Sequence, residues 1–226
     1  MFEKLQEFYP LNSDALNKFS AFKELLLKYN KMFNLTALIS DEDIEIKHFL
    51  DSLLGEKYFF KGENVVEVGS GGGFPSVPLM IYRPDLKFTL IESTQKKCEF
   101  LKTVIKELDL NGKVFCMRAE DAGKNKDFRE KFDVVTARAV ARLNTLSEYC
   151  VPLIKTGGRT VFYKGDAKEE ISEAQNAIKV LNLKVLNVEE YTLAGDMKRT
   201  LFVSEKLKPT PLTYPRGNGK ERSKPL

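Results

Sequence analysis

The chain has 226 residues, of which 42% are hydrophobic and 30% charged, enough to bury a full core for one α/β domain with a small appendage. No apolar run approaches a membrane span, and the start Met1-Phe2-Glu3-Lys4-Leu5-Gln6-Glu7 is too charged for a signal peptide, so a cytoplasmic protein is expected. Cys98, Cys116 and Cys150 are odd in number and widely spaced, which reads as buried thiols, with neither a metal cluster nor a disulfide framework.

In chain order, residues 14 to 33 place Leu16, Phe19, Phe22, Leu25, Leu26, Tyr29 and Phe33 at three-to-four spacing, the pattern of an amphipathic helix. Ser40 then precedes Asp41-Glu42-Asp43, a capped and correctly charged start for a second helix that carries the lone histidine, His48, with Asp51 and Ser52 beside it. His48 reads either as an ordinary half-buried imidazole or as a residue at the rim of a pocket. From Gly62 onward strands and helices alternate: strand 64 to 68, helix 75 to 82, strand 87 to 92, helix 95 to 108, strand 113 to 118, strand 132 to 137 and helix 143 to 151. Strand 159 to 163, helix 168 to 181 and strands near 184 to 192 and 198 to 206 complete the series. The last two lack a helix between them. This order predicts an α/β fold with a Rossmann-like doubly wound sheet, mostly parallel with an antiparallel edge. Residues 1–60 form an N-terminal helical extension, 61–206 the main domain and 207–226 a tail.

The most informative stretch is Val65-Val66-Glu67-Val68-Gly69-Ser70-Gly71-Gly72-Gly73-Phe74-Pro75, a buried strand that runs into a tight glycine turn and a helix start. Glycines there let the backbone turn sharply and approach a ligand that a Cβ would obstruct. The dinucleotide pattern is half present, because Phe74 stands where a third glycine is expected, and no Gly-Lys-Ser/Thr follows for a phosphate loop. Glu67 is expected to meet a cationic amino-acid ligand directly or through water, and Glu92, at the end of the next strand, to accept from ribose hydroxyls. Two carboxylates without a phosphate site suit S-adenosylmethionine, which carries an ammonium, a sulfonium and a ribose.

Ligands of such sheets bind outside the carboxyl ends of the strands. Those ends are Glu67 with the glycines, Glu92-Ser93-Thr94, Ala119-Glu120, Arg138 and Lys164. The third end is placed at the adenine. Arg138 is expected to reach a carboxylate of the cofactor or the substrate, with Arg142 and Lys164 adding positive charge where an anionic substrate docks.

Charge is concentrated rather than spread. The net +4 consists of +5 between Lys206 and Leu226 against −1 for everything before it. A basic Pro/Gly-rich segment reads as extended and poorly packed, able to track a phosphate backbone through Arg216, Lys220, Arg222 and Lys224. On that reading, deleting residues 207 to 226 weakens RNA modification and leaves cofactor affinity nearly unchanged. A nucleotide-binding regulatory module and a small-molecule or protein methyltransferase are the competing readings.

Several segments together resemble one family. They are Glu67 to Pro75, Arg118-Ala119-Glu120, Ala137-Arg138-Ala139-Val140-Ala141, Lys164-Gly165, Asn34-Leu35-Thr36, Lys47-His48, Asp51-Ser52-Leu53, and the ending from Tyr214-Pro215-Arg216 to Pro225-Leu226. The chain resembles, over nearly its whole length, the glucose-inhibited division B family, bacterial methyltransferases of the 16S ribosomal RNA of the small subunit. The resemblance implies a class I S-adenosylmethionine-dependent methyltransferase. Its cofactor is held by Gly69, Phe74, Ala119, Glu120, Arg138 and the turn Glu92 to Thr94, with Gly71 shaping the same loop. It also implies transfer to N7 of a guanosine. That nitrogen has an in-plane lone pair and no proton, so in-line displacement needs alignment but no general base, and no catalytic residue is assigned. A monomer is expected, with 16S ribosomal RNA or the small subunit as partner, no membrane and no metal.

Overall fold

The computed structural model describes residues 2–226. Val65, Val66 and Val68 are buried in β1 (Asn64–Val68), as β-branched residues in a strand covered on both faces should be. Around β1 lie β2 (Lys87–Glu92), β3 (Gly112–Cys116), β4 (Phe132–Arg138), β5 (Ile154–Lys164), β6 (Leu183–Leu193) and β7 (Met197–Lys206). They form one seven-stranded sheet in the order β3-β2-β1-β4-β5-β7-β6. The first five run parallel, and β7 is antiparallel to both β5 and β6. Strand order reverses between β1 and β4, which opens a crevice at their carboxyl ends.

Helices α5 (Ser76–Tyr82), α6 (Gln95–Glu107), α7 (Ala119–Lys124), α8 (Leu143–Cys150), α9 (Lys168–Glu173) and α10 (Gln175–Val180) fill the connections. The single helix expected over 168 to 181 is broken at Ala174, which caps one piece and starts the other. The third strand stops at Cys116, before the expected Arg118, because the chain must turn into α7 at Ala119. Cys116 is exposed where a buried thiol was expected, while Cys98 and Cys150 are buried.

Ahead of the sheet stand α1 (Glu3–Phe8), α2 (Ser13–Asn30), α3 (Asp41–Asp43) and α4 (Asp51–Leu53). The Ser40 hydroxyl accepts from the Asp43 N–H at 3.1 Å, so the cap read from the sequence forms. Between α3 and α4 the residues Ile44–Leu50 adopt the wider π-helical turn, a geometry that recurs at functional sites. Phe19, Phe22 and Phe49 are fully buried, and the Phe22 and Phe74 ring centroids lie 5.3 Å apart. The helical preface thus shares its core with the residue that closes the glycine turn, so packing here sets the position of that turn.

The tail departs most from expectation. Thr210, Pro215, Gly217 and Glu221 are buried, and residues 220 to 223 form a short helix, α11 (Lys220–Ser223). The Arg129 guanidinium donates to the carbonyls of Thr210, Pro211 and Tyr214 at 2.8, 3.2 and 2.8 Å. Lys206, counted from the sequence as the first cation of the basic run, is fully buried, with Nζ donating to Glu130 Oε1 at 2.6 Å and to the Ile154 carbonyl at 2.8 Å. Composition suggested an extended segment because it counts charges without their partners. The partners are half-buried Arg129 and Glu130 and fully buried Glu148, all far away in sequence.

Candidate active site

The turn after β1 is built from backbone. Gly69, Gly71 and Gly73 have φ of 70, 51 and 87°, values that L side chains adopt only with strain. A Cβ on Gly69 would stand 2.7 Å from Val140 Cγ2, so the residue must also be bare to fit. The Gly69 N–H donates to the Ile91 carbonyl at 2.8 Å, and the Gly73 N–H to the Ser70 carbonyl at 2.6 Å. Glu92 then braces the loop from β2: Oε2 accepts from the Gly71 N–H at 2.9 Å and Oε1 from the Thr94 N–H at 2.7 Å. Each carboxylate oxygen keeps a second lone pair. Glu92 lines the cavity beside the turn, so it can hold the loop and still accept from a hydroxylated ligand.

Two cavities of about 250 and 70 Å³ meet at Gly69, together at the low end of the roughly 300 Å³ and upward typical of ligand clefts. The larger is walled by Gly69, Gly71, Phe74, Glu92 and Arg138. The smaller is walled by Ser93, Ala119, Glu120 and Tyr149. The first offers a carboxylate and an arginine to the ribose and amino-acid parts of an adenosyl sulfonium. The second offers a narrow slot at the end of β3 for its purine. Residues and shape therefore fit S-adenosylmethionine.

Two of the residues expected to hold this ligand stand back from the cleft. Thr94 lines neither cavity and acts on the loop through its N–H to Glu92. Glu67 is completely buried below the turn, and neither of its carboxylate oxygens has a hydrogen-bond partner, nor do the buried hydroxyls of Ser70 and Ser76. Burial pushes its carboxyl up to about 7, with Ser76, Ser70 and Arg138 pulling the other way. Of the two contacts expected of Glu67, direct or through water, the direct one is not open in this arrangement, because Glu67 is fully buried below the turn.

Arg138 ends β4 beside the turn and gathers a network from the helical preface. Its guanidinium donates to Asp51 Oδ2 at 3.0 Å, to the Lys47 carbonyl at 3.2 Å and to His48 Nδ1 at 2.8 Å, and lies 5.0 Å from the Phe74 ring centroid. An arginine has only donors, so His48 Nδ1 must be the accepting nitrogen and the proton sits on Nε2, which donates to Thr36 Oγ1 at 2.8 Å. The imidazole stacks on Phe74 at 4.2 Å, and burial, aided by Arg138, pulls it down to about 3. His48 is therefore neutral and fully engaged. Ala139, next along, has φ of 56° without being glycine, a strained backbone at the point where the cavities converge.

A third cavity of about 290 Å³ adjoins the first across His48, Arg138 and Ala139. Its wall adds Lys47, Asp51, Tyr163, Lys164 and Arg199. Asp51 is buried and also accepts from Tyr191 at 2.8 Å. Lys164 pairs with Glu170 at 2.7 Å and donates to the Ala141 carbonyl. Sequence reasoning left His48 open and did not single out Tyr163, Tyr191 or Arg199, which lie on three strands, β5, β6 and β7, that only the folded sheet makes neighbours.

The model of the family described as rRNA small subunit methyltransferase G matches residues 15–201. The chain belongs to that family. It is 46% identical to the ribosomal RNA small subunit methyltransferase G of Lactobacillus johnsonii, over 96% of this chain and 94% of the relative. It is 43% identical to that of Alkaliphilus metalliredigens, over 96% and 93%. Among solved structures, M. jannaschii TYW2 in complex with AdoMet aligns with a TM-score of 0.56 at 15% identity, over 74% of this chain and 78% of the other. The precorrin-6y C5,15-methyltransferase of Geobacter metallireducens aligns with a TM-score of 0.54 at 12% identity, over 76% and 91%. These two share the fold. Family membership makes the chain an S-adenosylmethionine-dependent methyltransferase of small-subunit ribosomal RNA.

The basic residues assigned to RNA from the sequence have scattered fates within this family fold. Lys164 faces the third cavity. Arg142 lies outside it, paired with Glu173 at 2.8 Å and Glu169 at 3.3 Å on α9. Arg216 is turned inward onto the fully buried Glu148 at 2.6 Å, and Arg222 lines the small cavity beside Glu120. Lys220 and Lys224 remain exposed. Among the described residues no cluster of His, Cys, Asp and Glu could hold a metal ion, and no helix is long and apolar enough to cross a membrane.

Proposed function

We propose that the chain methylates N7 of a guanosine in 16S ribosomal RNA of the bacterial small subunit, acting as a monomer in the cytoplasm. The observation that supports this reading is the state of the titratable groups around the cleft. His48 is neutral with both nitrogens bonded, Asp51 is shared by Arg138 and Tyr191, Glu92 holds two backbone N–H groups, and Glu170 takes Lys164 and the Leu143 N–H. A ribose hydroxyl or an exocyclic amine must lose a proton to accept a methyl group, and here the carboxylates lining the cleft are committed to internal donors, the remaining lone pairs of Glu92 are placed at the cofactor's ribose, and the unpaired Glu67 is sealed below the turn. Guanine N7 needs none. S-adenosylmethionine supplies an electrophilic methyl group when bound.

The chain's own residues then have alignment and water exclusion as their tasks. Gly69, Gly71, Phe74, Glu92 and Arg138 hold the donor end, with Ser93, Ala119 and Glu120 around its purine and Glu67 and Thr94 shaping the loop from behind. The cavity of Lys47, Arg138, Lys164 and Arg199 receives the target nucleotide; these four cations are paired with three carboxylates, Asp43, Asp51 and Glu170, so one net positive charge remains for a flanking phosphate. Lys220 and Lys224 add exposed charge for the RNA backbone.

The test is incubation of purified small subunits and of free 16S RNA with tritiated S-adenosylmethionine, followed by borohydride and aniline treatment, which cleaves selectively at 7-methylguanosine. Label at one cleavable guanosine is expected. Label that resists cleavage and maps to an exocyclic amine or a ribose would overturn the assignment.

A further inference from the structure

The tail reaches the cofactor cleft. Arg222 on α11 lines the small cavity together with Ala119, Glu120 and Tyr149, at the end of β3 where the purine of the cofactor is placed. Its Nε donates to the Tyr149 hydroxyl at 3.2 Å, and Tyr149 is 2% exposed on α8, so the side chain, although exposed, is tethered at the guanidinium to a rigid support. Glu120, the nearby carboxylate, is already taken by Arg118 at 3.1 Å, which leaves the flat cation of Arg222 without a competing partner on that wall. A planar guanidinium at the mouth of a narrow slot is suited to cover the face of a purine.

The segment carrying Arg222 is fastened nearby. The Arg216 guanidinium donates to Glu148 Oε2 at 2.6 Å, the Thr145 hydroxyl donates to the Glu221 carbonyl at 2.8 Å, and the Gly217 N–H donates to the buried Glu221 carboxylate. Tail docking and the completed slot are thus one structural event. We propose that Arg222 is a cofactor-binding residue that covers the adenine of S-adenosylmethionine, so that order in residues 207 to 226 and affinity for the cofactor are coupled. By linkage, whatever strengthens one strengthens the other. This rests on placing the cofactor in the glycine-turn cleft, and it reverses the expectation that the tail is irrelevant to cofactor affinity.

The experiment is calorimetric titration of the full chain and of Arg222→Ala with S-adenosylmethionine and with 5′-methylthioadenosine, which keeps the adenosine and lacks the amino-acid part. Arg222→Ala should weaken both ligands by the same factor, about threefold to thirtyfold for loss of a stacked cation. Hydrogen exchange supplies the reciprocal readout: S-adenosylmethionine should slow exchange in residues 210 to 224 of the wild type. Unchanged affinity in Arg222→Ala, weakening of S-adenosylmethionine alone, or no protection of the tail would each overturn the proposal. A drop of about one in the salt slope of RNA binding, with cofactor affinity intact, would also overturn it and make Arg222 a phosphate contact. Failure of the wild type to bind either ligand is a different result, which removes the cofactor cleft itself.

Discussion

Two segments outside the central sheet are fastened to the same carboxyl edge by an arginine on a buried carboxylate, with the donor and acceptor exchanged. The helical preface supplies Asp51 to the core's Arg138, whereas the tail supplies Arg216 to the core's Glu148. Both acids are essentially withdrawn from water, at 3% and 0% side-chain exposure, so each pair is far less screened than a surface bridge. The difference lies in what surrounds them. Arg138 faces two cavities and also touches His48 and Phe74, while Arg216 and Glu148 line neither the cofactor cleft nor the basic cavity. The same electrostatic device is part of the site in one place and an attachment in the other.

Breaking the first pair should have the larger effect. Arg138→Ala leaves Asp51 buried without its main partner, a loss of about 3–5 kcal/mol and on the order of 10 °C in Tm. It should also abolish methyl transfer at saturating cofactor, because His48 and the glycine turn lose their shared brace. A folded variant with wild-type kcat, measured by label incorporation, would show that Arg138 only fastens.

Breaking the second should cost the reaction less, though not the fold. In Arg216→Ala the fully buried Glu148 keeps only the backbone N–H of residue 216, 2.8 Å from Oε1 in the wild type, so a similar loss of about 3–5 kcal/mol is expected. The KM for S-adenosylmethionine should rise, since Arg222 loses its mooring, with kcat nearly intact once cofactor is in excess. A fall in kcat at saturating cofactor would erase the distinction between site and attachment.

At neutral pH the smallest effect is silent, and it sharpens the first region only on acidification. Burial holds the folded His48 at about 3 against roughly 6.5 in the unfolded chain, so the native state binds fewer protons between those values. Its contribution to stability is complete above pH 6.5 and is lost as pH falls toward 3. The slope is at most about 1.4 kcal/mol per pH unit for one proton. Thermal melts from pH 7 to 4 should therefore fall more steeply for the wild type than for His48→Gln. Parallel curves would show that His48 is not held neutral.

The sequence made the glycine turn legible because its requirements are local. Left-handed backbone at Gly69, Gly71 and Gly73 and a following acid at Glu92 are properties of neighbouring residues and one βα unit. Even there the side-chain detail escaped, as with Glu67, because which way a carboxylate faces depends on how Ser70 and Ser76 close over it. The basic cavity was barely legible. Asp51 and Arg138 are 87 residues apart and Asp51 and Tyr191 are 140 apart, and no periodicity links them. The tail was misjudged for a related reason, since net charge is blind to a carboxylate such as Glu148 waiting inside the core.

Alternation of apolar strands with amphipathic helices, the glycine turn and the family's segments in their order determined the layered architecture, the cofactor class and the reaction class. Each follows from short-range backbone preferences and hydrophobic burial, which are written residue by residue. Packing alone decided that His48 is neutral, that Glu67 is sealed below the turn, that Arg216 faces inward and that the exposed Arg222 reaches the small cavity. Ionisation and accessibility depend on the dielectric and the partners that distant segments bring together, and those exist only once the chain has folded.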